Sequence, residues 1–140
     1  MSDEDAAAIR QVVERVFHAL DSRELHLLET VFAPEARFSL EGGARVIDGR
    51  EAILMTMGGP RPFSASTHWI ANHRAEIDGD KAKARTFAVA VLVEADGGRT
   101  RMRGLEYDDH FVRATDGWRI ALRQHKANWQ IDGAAVNVKL

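Results

Sequence analysis

An imidazole next to a carboxylate is a simple proton-transfer device, and two residues of this chain have the types to build one. His68 lies in Ser66-Thr67-His68-Trp69-Ile70-Ala71-Asn72, which reads as the head of a long strand. A period of two puts Ser66, His68, Ile70 and Asn72 on one face. A histidine among small and apolar neighbours is either a core or rim imidazole held by one hydrogen bond, or an acid/base facing a hollow. Asp21 follows an apolar helix directly, in Ala19-Leu20-Asp21-Ser22-Arg23. Alone, it reads as a loop carboxylate that caps the next helix. If it meets His68, it accepts from one ring nitrogen, fixes the tautomer, leaves the other nitrogen basic and stabilises the imidazolium.

A second group sits near the end of the chain. Alternation places Trp118, Ile120 and Leu122 on one face of a last strand and Arg123, His125 and Trp129 on the other. If the apolar set packs on the helices, Arg123 and His125 face outward. If the sheet closes into a cone, they line its mouth, where a guanidinium stabilises negative charge developing on a leaving group or enolate. Parity alone leaves both options open. Among the aromatic residues Phe17, Phe38, Trp69, Tyr107, Phe111 and Trp129, most read as core, and the Tyr107 hydroxyl needs a partner or a ligand once buried. The remaining histidines, His18, His26, His73 and His110, show no metal-like spacing with carboxylates. The neighbours Asp108, Asp109 and His110 point alternately to opposite faces of a strand, so no metal site is expected. The glycine pairs lack the strand-to-helix context of a phosphate loop, and no serine sits in a nucleophile elbow.

The elements that must position these residues follow from the pattern. Residues 3–20 form an amphipathic helix, with Ile9, Val12, Val13, Val16, Phe17 and Leu20 at helical spacing and Ser2 or Asp3 as cap. A short helix is predicted over 24–32, stopped by Pro34, then strands over 37–41 and 45–47 around Gly42-Gly43, and a third helix over 49–57. Gly58-Gly59-Pro60-Arg61-Pro62 is the strongest loop signal. The second half reads as a meander of long strands over 66–77, 81–94, 99–113 and 118–130. The turns between them are Asp78-Gly79-Asp80, Asp96-Gly97-Gly98 and Thr115-Asp116-Gly117. In the 81–94 strand, Ala84, Thr86, Ala88 and Ala90 make a small-residue face suited to close packing or a narrow cavity wall. Helices first and a curved sheet after imply an α+β domain with a concave interior.

Composition excludes several classes. The 140 residues suit one domain, and 45% hydrophobic with 29% charged residues is an ordinary globular balance. A formal net charge of -2 with scattered basic residues gives no pull toward nucleic acid or an anionic membrane. The absence of cysteine rules out disulfides and thiolate chemistry. The opening MSDEDAAAIR lacks the basic and apolar regions of a signal peptide, and no apolar run reaches the ~20 residues of a membrane span, so a cytoplasmic location is expected.

With those residues in view, the chain resembles the SnoaL-like family of the NTF2-like superfamily over nearly its whole length. The resemblance rests on Ala19-Leu20-Asp21-Ser22-Arg23, Leu28-Glu29-Thr30-Val31-Phe32-Ala33-Pro34-Glu35-Ala36, Ser66-Thr67-His68-Trp69-Ile70-Ala71-Asn72 and Tyr107-Asp108-Asp109-His110-Phe111-Val112-Arg113. It implies a cone-shaped barrel, with N-terminal helices packed on a strongly curved mixed or antiparallel sheet. An Asp after the first helix and a His in the T-H-x-x-x-N stretch are similar to the branch holding scytalone dehydratase, lindane dehydrochlorinase and bile-acid 7α-dehydratase. That likeness implies a cofactor-independent lyase or isomerase acting on a hydrophobic cyclic small molecule. In that reading His68 abstracts a proton, Asp21 orients it, and Arg123 or Tyr107 assists the anion or leaving group. Phe17, Phe38, Tyr107, His125 and Trp129 would line a mostly apolar pocket. The dehydrochlorinase arginine falls at Ala121, two residues before Arg123. Polyketide-cyclase-like and steroid-isomerase-like reactions, and non-catalytic binding or dimerising, are the other roles this family implies. It also implies a homo-dimer or homo-trimer formed through the outer face of the sheet, where Val and Phe positions of the 81–94 strand suit contact.

Overall fold

The first helix carries its own start signal and its own stop. In the computed structural model, which describes residues 2–95 and 99–134, helix α1 spans Asp3–Ser22. Ser2 caps it by accepting from the Asp5 amide, and Asp3, Glu4 and Asp5 sit in the first turn, where the helix dipole favours acids. Ile9, Val12, Val13, Val16, Phe17 and Ala19 form its buried stripe, each worth about 1.5–3 kcal/mol for the larger side chains. The stop is Arg23, held in the left-handed region at φ 60. For a residue with a Cβ that conformation costs about 1–2 kcal/mol.

The helix expected over 24–32 is instead a single 3₁₀ segment, Leu25–Thr30. The amide of Ile120 bonds the Val31 carbonyl at 2.8 Å, so the last strand captures the chain there. Phe32, expected on a helix face, opens strand β1 (Phe32–Leu40) as a fully buried side chain. A tight turn at Glu41–Gly43 leads into β2 (Arg45–Asp48), followed by helix α2 (Arg50–Gly58). The long strands are β3 (Phe63–Asp78), β4 (Lys81–Glu94), β5 (Arg99–Ala114) and β6 (Gly117–Ala134). The turn expected at Asp96-Gly97-Gly98 lies outside the described residues.

All the described strands join one 6-stranded sheet in the order β2-β1-β6-β5-β4-β3. Among the described strands only β1 and β6 run parallel; the other pairs are antiparallel. The sheet is mixed, and it curls around α1, which packs on β3 and β6. Extra residues drive the curl. Ile70 pairs with Ala88 and Asn72 with Phe87, leaving Ala71 as a bulge. In β6, Ile120 pairs with Phe111 and Leu122 with His110, leaving Ala121 over; Ala127 and Trp129 likewise flank an unpaired Asn128. Such insertions bend a strand and increase its twist.

They also overturn simple parity. Beyond Ala71, Asn72 turns outward, opposite Phe87, and His73 turns inward to bond Thr86. Beyond Ala121, Leu122 faces out while Arg123 and His125 face in. Trp118, Ile120, Arg123 and His125 therefore share the concave side rather than opposing one another. The small-residue face of β4 is buried as expected, with Ala82, Ala84, Ala88 and Ala90 all inside.

Candidate active site

The site starts where α1 ends. Phe17 and Asp21 are one helical turn apart, so both face the same neighbour. That neighbour is β3, the edge strand among the described residues, whose outward amides have no described strand to bond. Asp21 takes up the vacancy. Its Oδ2 accepts from the His68 backbone amide at 2.6 Å, and its Oδ1 pairs with His68 Nδ1 at 2.7 Å. The Ser66 hydroxyl donates to the same Oδ1 at 2.8 Å. A carboxylate near the negative end of a helix is out of place electrostatically, and these donors offset the cost. The bland role, capping the next helix, is not what Asp21 does: the residue at that position is Glu24, and it makes no side-chain cap bond.

Phe17 completes the clamp. Its ring stacks on the His68 imidazole at 5.2 Å with the planes 12° apart. A neutral ring that gives its Nδ1–H to Asp21 has its lone pair on Nε2. The His68 side chain keeps 10% of its surface and that of Asp21 22%, so the pair is mostly removed from water.

His68 lines a cavity of about 260 Å³. Leu20, Met57, Phe63, Leu92, Leu105 and Tyr107 give it apolar walls, and Ala90 supplies a stretch with almost no side chain. Asp21 is not among the lining residues and stands behind His68. Larger open hollows of about 480 and 620 Å³ lie elsewhere on the sheet, and His68 borders neither. The cavity is mostly apolar, as expected, but Arg23, Arg61 and Arg103 also border it. Arg61 spans the gap between elements, donating to the Leu20 carbonyl and the Ser66 hydroxyl.

Tyr107 and His125 form the far wall. Their rings meet at 4.9 Å, and Tyr107 also tilts against Phe17 at 5.7 Å. Burial pushes the Tyr107 phenol up to about 12, so it remains a proton donor at neutral pH. Burial, followed by the charges of Arg123 and Arg103, pushes His125 down to about 4, so this imidazole is neutral.

The other expected site residues fall elsewhere. Arg123 does not line the cavity. It is fully buried, and its Nε and Nη2 reach both carboxylate oxygens of Asp109 at 2.8 and 2.9 Å. Its guanidinium lies 4.2 Å from the centre of the Tyr107 ring, so it backs the wall instead of meeting a leaving group. Phe38 sits one layer behind, 6.4 Å from the His125 ring. Trp129 is on the outer face, 46% exposed, opposite Gly104. Sequence reasoning missed Ser66, Arg61 and Arg103 as site residues. Ser66 shares the parity of His68 and Arg103 that of Tyr107, a usable signal; the placement of Arg61 depends on a loop conformation that no periodicity encodes.

Comparisons with known proteins agree with this architecture. A family model described as a SnoaL-like domain matches residues 2–124. Uncharacterized proteins of Mycobacterium tuberculosis and Mycobacterium bovis are 34% identical over 127 residues, covering 85% of this chain and 82% of theirs. The chain belongs to the SnoaL-like family. Its fold is the NTF2-like α+β cone, shared with solved structures of low sequence identity. A hexachlorocyclohexane dehydrochlorinase of Novosphingobium barchaimii superposes with a TM-score of 0.85 at 18% identity, over 99% of each chain. A protein of Kribbella flavida gives 0.83 at 24%, over 92% of this chain and 94% of its own. A candidate scytalone dehydratase of Novosphingobium aromaticivorans gives 0.83 at 19%, over 93% and 90%.

Proposed function

We propose that the protein is a lyase or isomerase that removes a proton from a cyclic, largely apolar small molecule, with His68 as base and Asp21 as its positioning partner. The observation that carries this reading is the His68 Nδ1–Asp21 Oδ1 contact at 2.7 Å, at the wall of the cavity. A C–H beside a carbonyl gives its proton to Nε2, and the C–H electron pair moves into the carbonyl to leave an enolate. The resulting imidazolium keeps its Nδ1–H on Asp21, and the protonated Tyr107 phenol donates to the enolate oxygen. His68 then returns the proton, either to a departing hydroxyl, which completes an elimination, or to another carbon, which completes an isomerisation. Proton transfer by a positioned base supplies about 10²–10⁴-fold, and the phenol and cavity dipoles supply further stabilisation. The dehydratase and dehydrochlorinase among the structures of like fold support the same class.

The test is a screen of cyclic carbonyl compounds bearing a β-leaving group, read by proton exchange and product formation. His68→Ala should abolish turnover, and Asp21→Asn should lower it by about 10²–10⁴-fold. Nitrogen-15 spectra should show the His68 ring protonated at Nδ1 in the native protein, with that preference lost in Asp21→Asn. Full turnover of a substrate by His68→Ala would end the proposal.

The same reading includes a homo-oligomer formed through the outer face. Two registered rows cross the sheet there, Trp69–Val89–Gly104–Trp129 and Thr67–Val91–Met102–Ile131. Trp69, Met102, Trp129 and Ile131 are exposed large hydrophobics, and neighbouring Phe87 extends the patch. A patch of this kind favours a second copy. Sedimentation should show an oligomer that Phe87→Glu dissociates; a native monomer at micromolar concentration would rule it out.

A further inference from the structure

Arg103 has no role in the chemistry above, yet its position is specific. In the sheet His68 pairs with Ala90, and Ala90 pairs with Arg103. The three form one cross-strand row, and all three line the cavity. Two strand spacings put the Cα atoms of His68 and Arg103 about 10 Å apart. Between them Ala90 offers only a methyl group, which leaves a gap about one ring wide. A flat ring lying over Ala90 would have one edge at the His68 imidazole and the opposite edge at the guanidinium.

The guanidinium itself is incomplete. Its Nε is buried and has no hydrogen-bond partner among the described residues. A buried donor left unmade is costly. Arg103 also has no ion pair among the described residues, unlike Arg123, which is saturated by Asp109. The wider charge balance is one-sided: Arg23, Arg61 and Arg103 border the cavity, and the nearby carboxylate, Asp21, is already engaged by His68 and Ser66. The positive field shows in its neighbours. Burial and then Arg23 lower the pKa of Arg61, and Arg103 contributes to keeping His125 neutral.

We propose that Arg103 is the docking point for a carboxylate on the substrate, so that the ligand of this cavity is a ring acid held across Ala90 with its reacting C–H at His68. A carboxylate matches the Nε edge of a guanidinium, which presents paired donors in one plane. The inference rests on the proposed reaction for its orientation, but binding at Arg103 does not require His68 to act.

The test uses cyclohexanecarboxylate and its neutral counterpart, cyclohexanecarboxamide. The native protein is titrated while the Nε–H signal of Arg103 is followed by nitrogen-15 NMR. The carboxylate should shift that signal to saturation and bind about tenfold or more tightly than the amide, as a charge-assisted pair implies. Arg103→Met should erase the preference, Arg103→Lys should keep part of it, and His68→Gln should leave it intact. Equal binding of acid and amide, no movement of the Arg103 signal, or a preference that survives in folded Arg103→Met would each overturn the assignment. If Arg103→Met does not fold, the native Nε signal and Arg103→Lys decide. A carboxylate preference without any His68-dependent turnover would leave the docking point standing and remove the catalytic reading, so the two fail separately.

Discussion

Consider replacing Asp109 by Leu. The carboxylate lies with its side chain 0% exposed against Arg123 at 1%, with both contacts near 2.8 Å. At that separation, and an effective dielectric constant near 20, the attraction is about 6 kcal/mol, most of which offsets the desolvation of the two ions. Removing one ion leaves the other buried and unmatched, at a cost of about 3–5 kcal/mol. The Tyr107 ring over the guanidinium returns at most about 2 kcal/mol and is already counted in the native state. A chain of 140 residues has about 7–21 kcal/mol of total stability, so the single variant loses a large share. Replacing both residues, Asp109→Leu with Arg123→Met, removes the stranded charge and should recover most of that loss. Urea unfolding of the native protein, both single variants and the double gives the coupling directly. A single variant costing less than about 1 kcal/mol, or a double whose loss equals the sum of the singles, would refute the reasoning. The double should also let the pKa of His125 rise, because the charge of Arg123 is the largest contribution to its lowering after burial.

Two further outcomes follow from the far wall and the outer face. His125 titrates at about 4 in the folded chain against 6.5 for the free side chain, so the unfolded state binds more protons between those values. Its contribution to stability is complete above pH 6.5 and is lost as the pH falls toward 4, by about 3 kcal/mol in all. Urea midpoints across that window should fall with acid, and His125→Phe should flatten the fall; an unchanged slope counts against it. At Gly104, a Cβ would run into the Trp129 indole. Gly104→Ala should therefore push Trp129 off the strand and red-shift its emission, read in a background with Trp69 and Trp118 changed to Phe. Stability should move by less than about 1 kcal/mol, since the reduced backbone freedom of Ala offsets the lost stacking. Emission that stays put would show that the strand, not the indole, gives way.

What could be read from the sequence depended on whether side-chain type or backbone geometry held the information. The periodicity of Ile9, Val12, Val13, Val16 and Phe17 marks α1 because burial demands that stripe. The Gly79 and Gly117 turns mark hairpins because both adopt positive φ. Asp21 and His68 were visible as an end of helix and a head of strand, and the family resemblance suggested that they meet. The faces of Asn72, Leu122 and Trp129 were misread for one reason. Ala71, Ala121 and Asn128 are unpaired residues, and nothing in an alanine or asparagine announces an extra step in a ladder. Arg103 was overlooked because an arginine in Arg99-Thr100-Arg101-Met102-Arg103 looks like a solvated charge until the row through Ala90 is seen.

The unpaired alanine in β6 bears on how such a scaffold diverges. Were Ala121 instead drawn into the ladder opposite His110 and the pairing before it kept, Arg123 and His125 would swing to the outer surface, and Leu122 and Gln124 would come indoors. A whole row of inward chemistry would be exchanged at once with no residue type altered, and most of the ladder hydrogen bonds would survive. Loss of the unpaired residue itself is by contrast absorbed, because Leu122 would still meet His110 and Arg123 would still meet Asp109. Relatives aligned by letter matches alone will be compared in the wrong phase wherever they have gained or lost such a step.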